Sequence, residues 1–71
     1  MAESVYKVIE LIGTSSESWE KAARAAIERA AESLRDLRIA EVIEQDIQLK
    51  DGKFEAYRTK VKFSFKYEGS D

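Results

Sequence analysis

The sequence predicts an α+β chain with the element order β-α-β-β. Three observations carry this: a run rich in β-branched and aromatic residues at positions 5–12, an alanine-rich apolar stripe at helical spacing ending near residue 37, and two long alternating runs either side of Asp51-Gly52. The 71 residues contain no proline, no low-complexity stretch and no internal repeat. Nothing marks a linker, so residues 1–71 are read as a single domain.

The first strand is expected over residues 5–12, ended by Gly13-Thr14-Ser15-Ser16. Val5, Ile9 and Leu11 fall on one face and Tyr6, Val8 and Ile12 on the other, so both faces carry apolar side chains. This predicts a central or well-covered strand. The helix is expected from residue 16 or 17 to residue 37. Thr14, Ser15, Ser16 and Ser18 all suit the N-cap, and Glu17 and Glu20 put negative charge in the first turn. Trp19, Ala23, Ala26, Ile27, Ala30, Leu34 and Leu37 form its stripe. A stripe made mostly of alanine permits close approach and suits the hollow of a curved sheet.

The rest reads as a hairpin, with strands at residues 39–50 and 53–67 around the Asp51-Gly52 turn. Continuing the register from Lys50 opposite Lys53 places Val42 opposite Val61 and Ala40 opposite Phe63, with Phe65 and Tyr67 extending this face, where the helix should dock. A strand of about 15 residues approaches 50 Å at about 3.3 Å per residue, whereas a helix of about 20 residues spans about 30 Å. The hairpin outruns its helix. Its far end, with Glu44, Asp46, Gln48, Glu55 and Tyr57 expected on the helix side, must meet solvent or another subunit.

Composition narrows the function. A domain this small buries only about 60% of the surface its unfolded chain exposes, so it needs further support. Cysteine and histidine are absent, which removes disulfides, thiolate zinc sites and the commonest general base. Support must come from other copies of the chain or from a hard, oxygen-liking cation. With 37% charged residues and a formal charge of −2, nothing suggests nucleic-acid binding. No apolar run reaches the roughly 20 residues of a membrane span, and Met-Ala-Glu-Ser lacks the basic and apolar parts of a signal peptide. The expected location is the cytoplasm. Without histidine or cysteine there is no nucleophile-base pair, and Gly13-Thr14-Ser15-Ser16 lacks the lysine and spacing of a P-loop. The chain is not expected to be an enzyme.

Two sets of residues remain as site candidates. On the face away from the helix, the register gathers Ile39, Glu41, Ile43, Gln45 and Ile47 opposite Arg58, Lys60 and Lys62, with Gln45 facing Arg58 and Glu41 facing Lys62. Such a face is either a neutralised solvent or interface surface or a wall for an anionic or planar ligand, with Ile39, Gln45, Arg58 and Lys60 as its pocket. The carboxylates Glu44, Asp46 and, near the turn, Asp51 and Glu55 are the candidates for a metal such as calcium or magnesium, which prefer several oxygen ligands, and of these Glu44 and Asp46 share a strand face about 7 Å apart. No EF-hand pattern is present.

With these residues in place, the chain resembles the dodecin family of small flavin-storing proteins. Val5-Tyr6-Lys7-Val8-Ile9-Glu10-Leu11-Ile12-Gly13-Thr14-Ser15 is similar to the family's first strand and turn, and Ala40-Glu41-Val42 and Ser64-Phe65 sit where the family has similar residues. The resemblance implies a three-stranded antiparallel sheet partly wrapped around the helix, and a homododecamer built from trimers. It also implies a flavin site with a stacking tryptophan at the start of the second strand and a glutamine after the third-strand tyrosine. Ile39 and Arg58 stand at those positions. Isoleucine offers no aromatic stacking and arginine no acceptor, so flavin binding in that manner is not expected. Trp19, the single tryptophan, is read as core or interface. Ser18-Trp19-Glu20 and Arg38-Ile39-Ala40 with Val42-Ile43-Glu44-Gln45-Asp46 resemble the calcium dodecin branch, which lacks the flavin tryptophan. The expectation is a dodecameric calcium-binding or buffering protein. The alternatives are a flavin or other anionic small-molecule store and a purely structural shell.

Overall fold

In a computed structural model, which describes residues 3–66, the order is β1 (Tyr6–Ser15), α1 (Trp19–Ser33), β2 (Leu37–Lys50) and β3 (Lys53–Lys66). The three strands form one antiparallel sheet in the order β1-β3-β2. The predicted β-α-β-β architecture is therefore correct. The neighbour relations differ from expectation, because β3 is central and β1 is an edge strand. Ile9 and Leu11 of β1 pack against the core, while Tyr6, Val8 and Ile12 on its other face are exposed. Their apolar character reflects a face left open by this chain rather than a central position.

Strand β1 also continues through Gly13 to Ser15 instead of stopping at Ile12. Gly13 permits this, because a Cβ there would lie 2.0 Å from the carbonyl oxygen of Ala22 and 3.0 Å from the amide nitrogen of Ala26. The helix backbone presses directly on the strand. Ala22, Ala26 and Ala30 form the buried stripe, rotated from the expected one, so that Trp19 and Ile27 lie partly exposed. Val61 and Phe63 of β3 complete the buried centre, with Leu34 and Leu37 packed at its margin.

The helix is shorter at both ends than its apolar periodicity suggests. Ser18 is the N-cap, its hydroxyl accepting from the Lys21 amide at 3.0 Å. Leu34 is already extended, and Asp36 takes a positive φ of 57° in the connection to β2. Leu34 and Leu37 thus reach the core from extended chain, which mimics helical spacing. At the hairpin, Asp51 and Gly52 have φ of 53° and 74°, the paired left-handed conformations of a type I′ turn. Tyr67, expected to extend β3 and its apolar face, lies outside the described residues.

The helix lies over β1 and β3 and touches β2 least. Val42 consequently stays 51% exposed although its cross-strand neighbour Val61 is fully buried. Docking on the Ala40 and Val42 side of the hairpin was expected, and only the β3 half of that face is covered. The molecule measures 53 × 20 × 18 Å with a radius of gyration of 14.8 Å, against roughly 11 Å for a compact domain of this length. The long hairpin projects beyond the core as its length required.

Candidate functional site

Three register shifts shape the hairpin. Cross-strand pairing starts at the turn as expected, Lys50 with Lys53, and Val42↔Val61, Glu41↔Lys62 and Ala40↔Phe63 keep the expected register. Between them residues 44–48 are displaced by one, so Glu44 faces Lys60, Gln45 faces Thr59 and Asp46 faces Arg58. The extra residues lie at Ile43 on β2 and Glu55 on β3, and a third shift at Arg38 turns Leu37 into the core.

A one-residue slip moves every side chain in the segment to the other face. Glu44 and Asp46, expected on the helix side, therefore lie on the outer face with Lys60 and Arg58. Gln45 and Ile47, expected beside Arg58, lie on the helix side, where Ile47 is opposite Tyr57. Of the expected pocket, Ile39, Arg58 and Lys60 share one face and Gln45 leaves it. The uninterrupted hairpin register assumed from the turn has no way to include a bulge.

The result is a ladder of opposite charges on the outer face. Arg58 donates from Nε and Nη2 to Oδ1 and Oδ2 of Asp46, both at 2.8 Å, and Lys60 Nζ lies 3.5 Å from Glu44 Oε1. Glu41 stands opposite Lys62. The Arg58 hydrogen bonds hold the Asp46 carboxyl below its ordinary range, and Asp46 in turn keeps the Arg58 guanidinium more firmly charged. All four side chains of the two ion pairs remain at least a third exposed, so water and salt screen them.

These carboxylates suit a hard cation by donor type, but one chain does not complete a site. Among the described residues no three carboxylates cluster closely enough to share an ion, whereas calcium takes six to eight oxygens. Glu44 and Asp46 each face a cationic side chain that an incoming metal would have to displace. Asp46 is held bidentately and Glu44 only loosely. Of the two carboxylates, Glu44 is the less firmly engaged.

Trp19 joins the helix to this part of the hairpin. Its indole Nε1 donates to the Asp46 carbonyl at 3.1 Å, its own carbonyl accepts from the buried Thr59 hydroxyl at 2.9 Å, and its ring meets Tyr57 edge-on at 4.9 Å. Phe54 meets the same tyrosine ring edge-on at 5.0 Å. Trp19 was expected in core or interface, and apolar spacing gave no sign of this bridging role. The signal available was chemical: an indole N–H needs an acceptor, and the edge strand supplies a carbonyl.

The dodecin family profile matches residues 5–68. The chain belongs to the dodecin family. It is 52% identical over 63 residues to a calcium dodecin from Mycobacterium tuberculosis, covering 89% of each chain, and 38% identical over 64 residues to a dodecin from Thermus thermophilus, covering 90% of this chain and 93% of the relative. Among solved structures, dodecin from Streptomyces coelicolor superposes with a TM-score of 0.85 at 34% identity, covering 99% of this chain and all of the other. The calcium-chelating calcium dodecin of Mycobacterium tuberculosis, described with a novel calcium-binding site, superposes with a TM-score of 0.81 at 52% identity, covering 96% and 97%. The β-α-β-β fold of this chain is thus that of its solved relatives.

Proposed function

We propose that this dodecin is a non-catalytic, homo-oligomeric protein that binds and buffers a divalent cation, calcium, with Glu44 and Asp46 among the ligands. The observation that carries the reading is the placement of both carboxylates on one exposed face, in a chain 52% identical to a calcium dodecin. The remaining oxygens come from water, backbone carbonyls or further copies of the chain. Metal entry exchanges the Lys60 and Arg58 partners for the cation, which moderates affinity and makes it fall with salt. Assembly, as a dodecamer built from trimers, covers Val8, Ile12, Ile39 and Val42, apolar side chains that the lone chain leaves exposed. Ile39 stands where flavin-binding members carry their stacking tryptophan.

Calorimetric titration of metal-stripped protein with calcium tests the site. A saturable heat that weakens in Glu44→Gln and Asp46→Asn supports it, and the absence of heat removes it. Light scattering tests assembly, which an 8.1 kDa monomer at micromolar concentration would overturn.

A second reading, an anionic or flavin ligand held against Ile39 by Arg58 and Lys60, is favoured by one observation, that these three share a face. Their engagement with Asp46 and Glu44 and the departure of Gln45 weigh against it. Stoichiometric quenching of riboflavin fluorescence would establish it instead. Silence in both titrations leaves a structural shell.

A further inference from the structure

Residues 44–48 of β2 pair one step out of line with the stretches on either side. The turn and the Val42↔Val61 pair belong to one continuous register, so the unshifted alternative needs no bulge at Ile43 or Glu55. Two bulges interrupt the hydrogen-bond ladder, and something must favour the shifted pairing over the simpler one.

The unshifted register would set Asp46 opposite Tyr57 and Glu44 opposite Thr59, both on the helix side. Tyr57 is where the Trp19 ring makes its edge-on contact, and Thr59 is fully buried beneath the Trp19 carbonyl. A carboxylate placed there would give up part of its hydration beside two aromatic rings, although the position stays partly open to water, Ile47 being 40% exposed. The shifted register puts Ile47 opposite Tyr57 and Gln45 opposite Thr59 instead. The indole bond to the Asp46 carbonyl does not discriminate, because a slipped strand would offer the Gln45 carbonyl at the same place. The outer ion pairs favour the same register but are exposed and screened.

We infer that Trp19 is a positioning residue that selects the hairpin register: with Tyr57 it makes an apolar spot that accepts Ile47 and refuses Asp46, and so assigns Glu44 and Asp46 to the outer, ion-binding face. The ion-binding half of this statement rests on the function proposed above.

Crystal structures and calcium titrations of the assembled protein test it together. Trp19→Phe retains an aromatic ring and keeps Asp46 opposite Arg58, with calcium affinity close to that of the parent. Trp19→Ser moves Gln45 opposite Arg58 and weakens calcium binding by about tenfold or more, the scale of outer-shell effects on metal sites. Deleting Ile43 and Glu55 together removes both bulge residues and makes Asp46 opposite Arg58 part of one uninterrupted register, so the same double deletion in the Trp19→Ser chain restores both the pairing and the affinity. A merely structural tryptophan would not be rescued in this way. Ile47→Asn makes the same test from β2 itself if Trp19→Ser does not assemble, and it should produce the same slip. Retention of the shifted pairing in Trp19→Ser, or in Ile47→Asn, overturns the inference. If the parent takes up no calcium, the ion-binding function fails while the pairing in the variants still decides the role of Trp19.

Discussion

Replacing Gly13 by alanine sets two effects against each other. On backbone grounds alone the change should help, since glycine in a strand interior is about 0.5–1 kcal/mol worse than alanine. The space around it dictates the opposite. The new Cβ would stand 2.0 Å from the Ala22 carbonyl oxygen, with the Ala22 carbonyl carbon and the Ala26 amide nitrogen each at 3.0 Å. All three are backbone atoms, so no side-chain rotation relieves the contact. Restoring an ordinary 3.4 Å separation requires the helix to withdraw by about 1.4 Å (3.4 − 2.0), and it must carry Ala22 and Ala26 out of the core as it does so. Overpacking typically costs about 1–3 kcal/mol. The rigid neighbours place this case at the upper end, leaving a net loss of about 2 kcal/mol after the backbone gain. About 1 kcal/mol shifts the Tm of a domain this size by about 4–8 °C, so a fall of roughly 8–16 °C follows. Calorimetric melting at matched protomer concentration measures it, the match being necessary because any self-association ties Tm to concentration. A Tm equal to or above that of the parent would refute the close-approach reasoning.

Two further predictions concern the same corner of the molecule. The Asp46 carboxyl is held below its ordinary value of 3.8, so its ion pair contributes stability above that pH and loses it as pH falls through the lower, folded value. Acid melts from pH 5 to pH 2 should show Asp46→Asn destabilised at the upper end and converging on the parent at the lower; parallel curves would contradict this. Ser18→Ala removes the hydroxyl that accepts from Lys21 and should cost about 1 kcal/mol, read as a lower Tm, with altered Trp19 fluorescence because the freed first turn carries the indole.

The element order and the turn could be read from the chain because each rests on local chemistry: β-branched runs, the alanine stripe, and Asp51-Gly52 with its need for two positive φ values. The ends of the helix were harder. Leu34 and Leu37 continue its spacing while lying in extended chain, and no glycine or proline marks the stop at Leu34. The edge position of β1 was hidden by Tyr6, Val8 and Ile12, whose apolar side chains signal burial without saying by what. In the site, the outer-face partners Ile39, Arg58 and Lys60 followed from alternation along β3 and the first part of β2. Glu44, Gln45 and Asp46 did not, because their orientation depends on Ile43, a residue that looks like any other strand isoleucine.

That bulge makes the chemistry of the outer face a matter of parity. Whether a β2 residue between Ile43 and the turn faces Arg58 or Tyr57 depends on whether an odd or an even number of residues separates it from the nearest paired position. Point substitutions leave that count unchanged and exchange the row only where, as at Trp19 or Ile47, they move the pairing itself. An insertion or deletion of one residue exchanges a whole row of side chains at once, trading carboxylates for an amide and aliphatics while every amino acid type is retained. Two chains of this fold that align residue for residue across the hairpin can therefore present the same face only if their counts agree, and a gap of a single position there separates different surfaces.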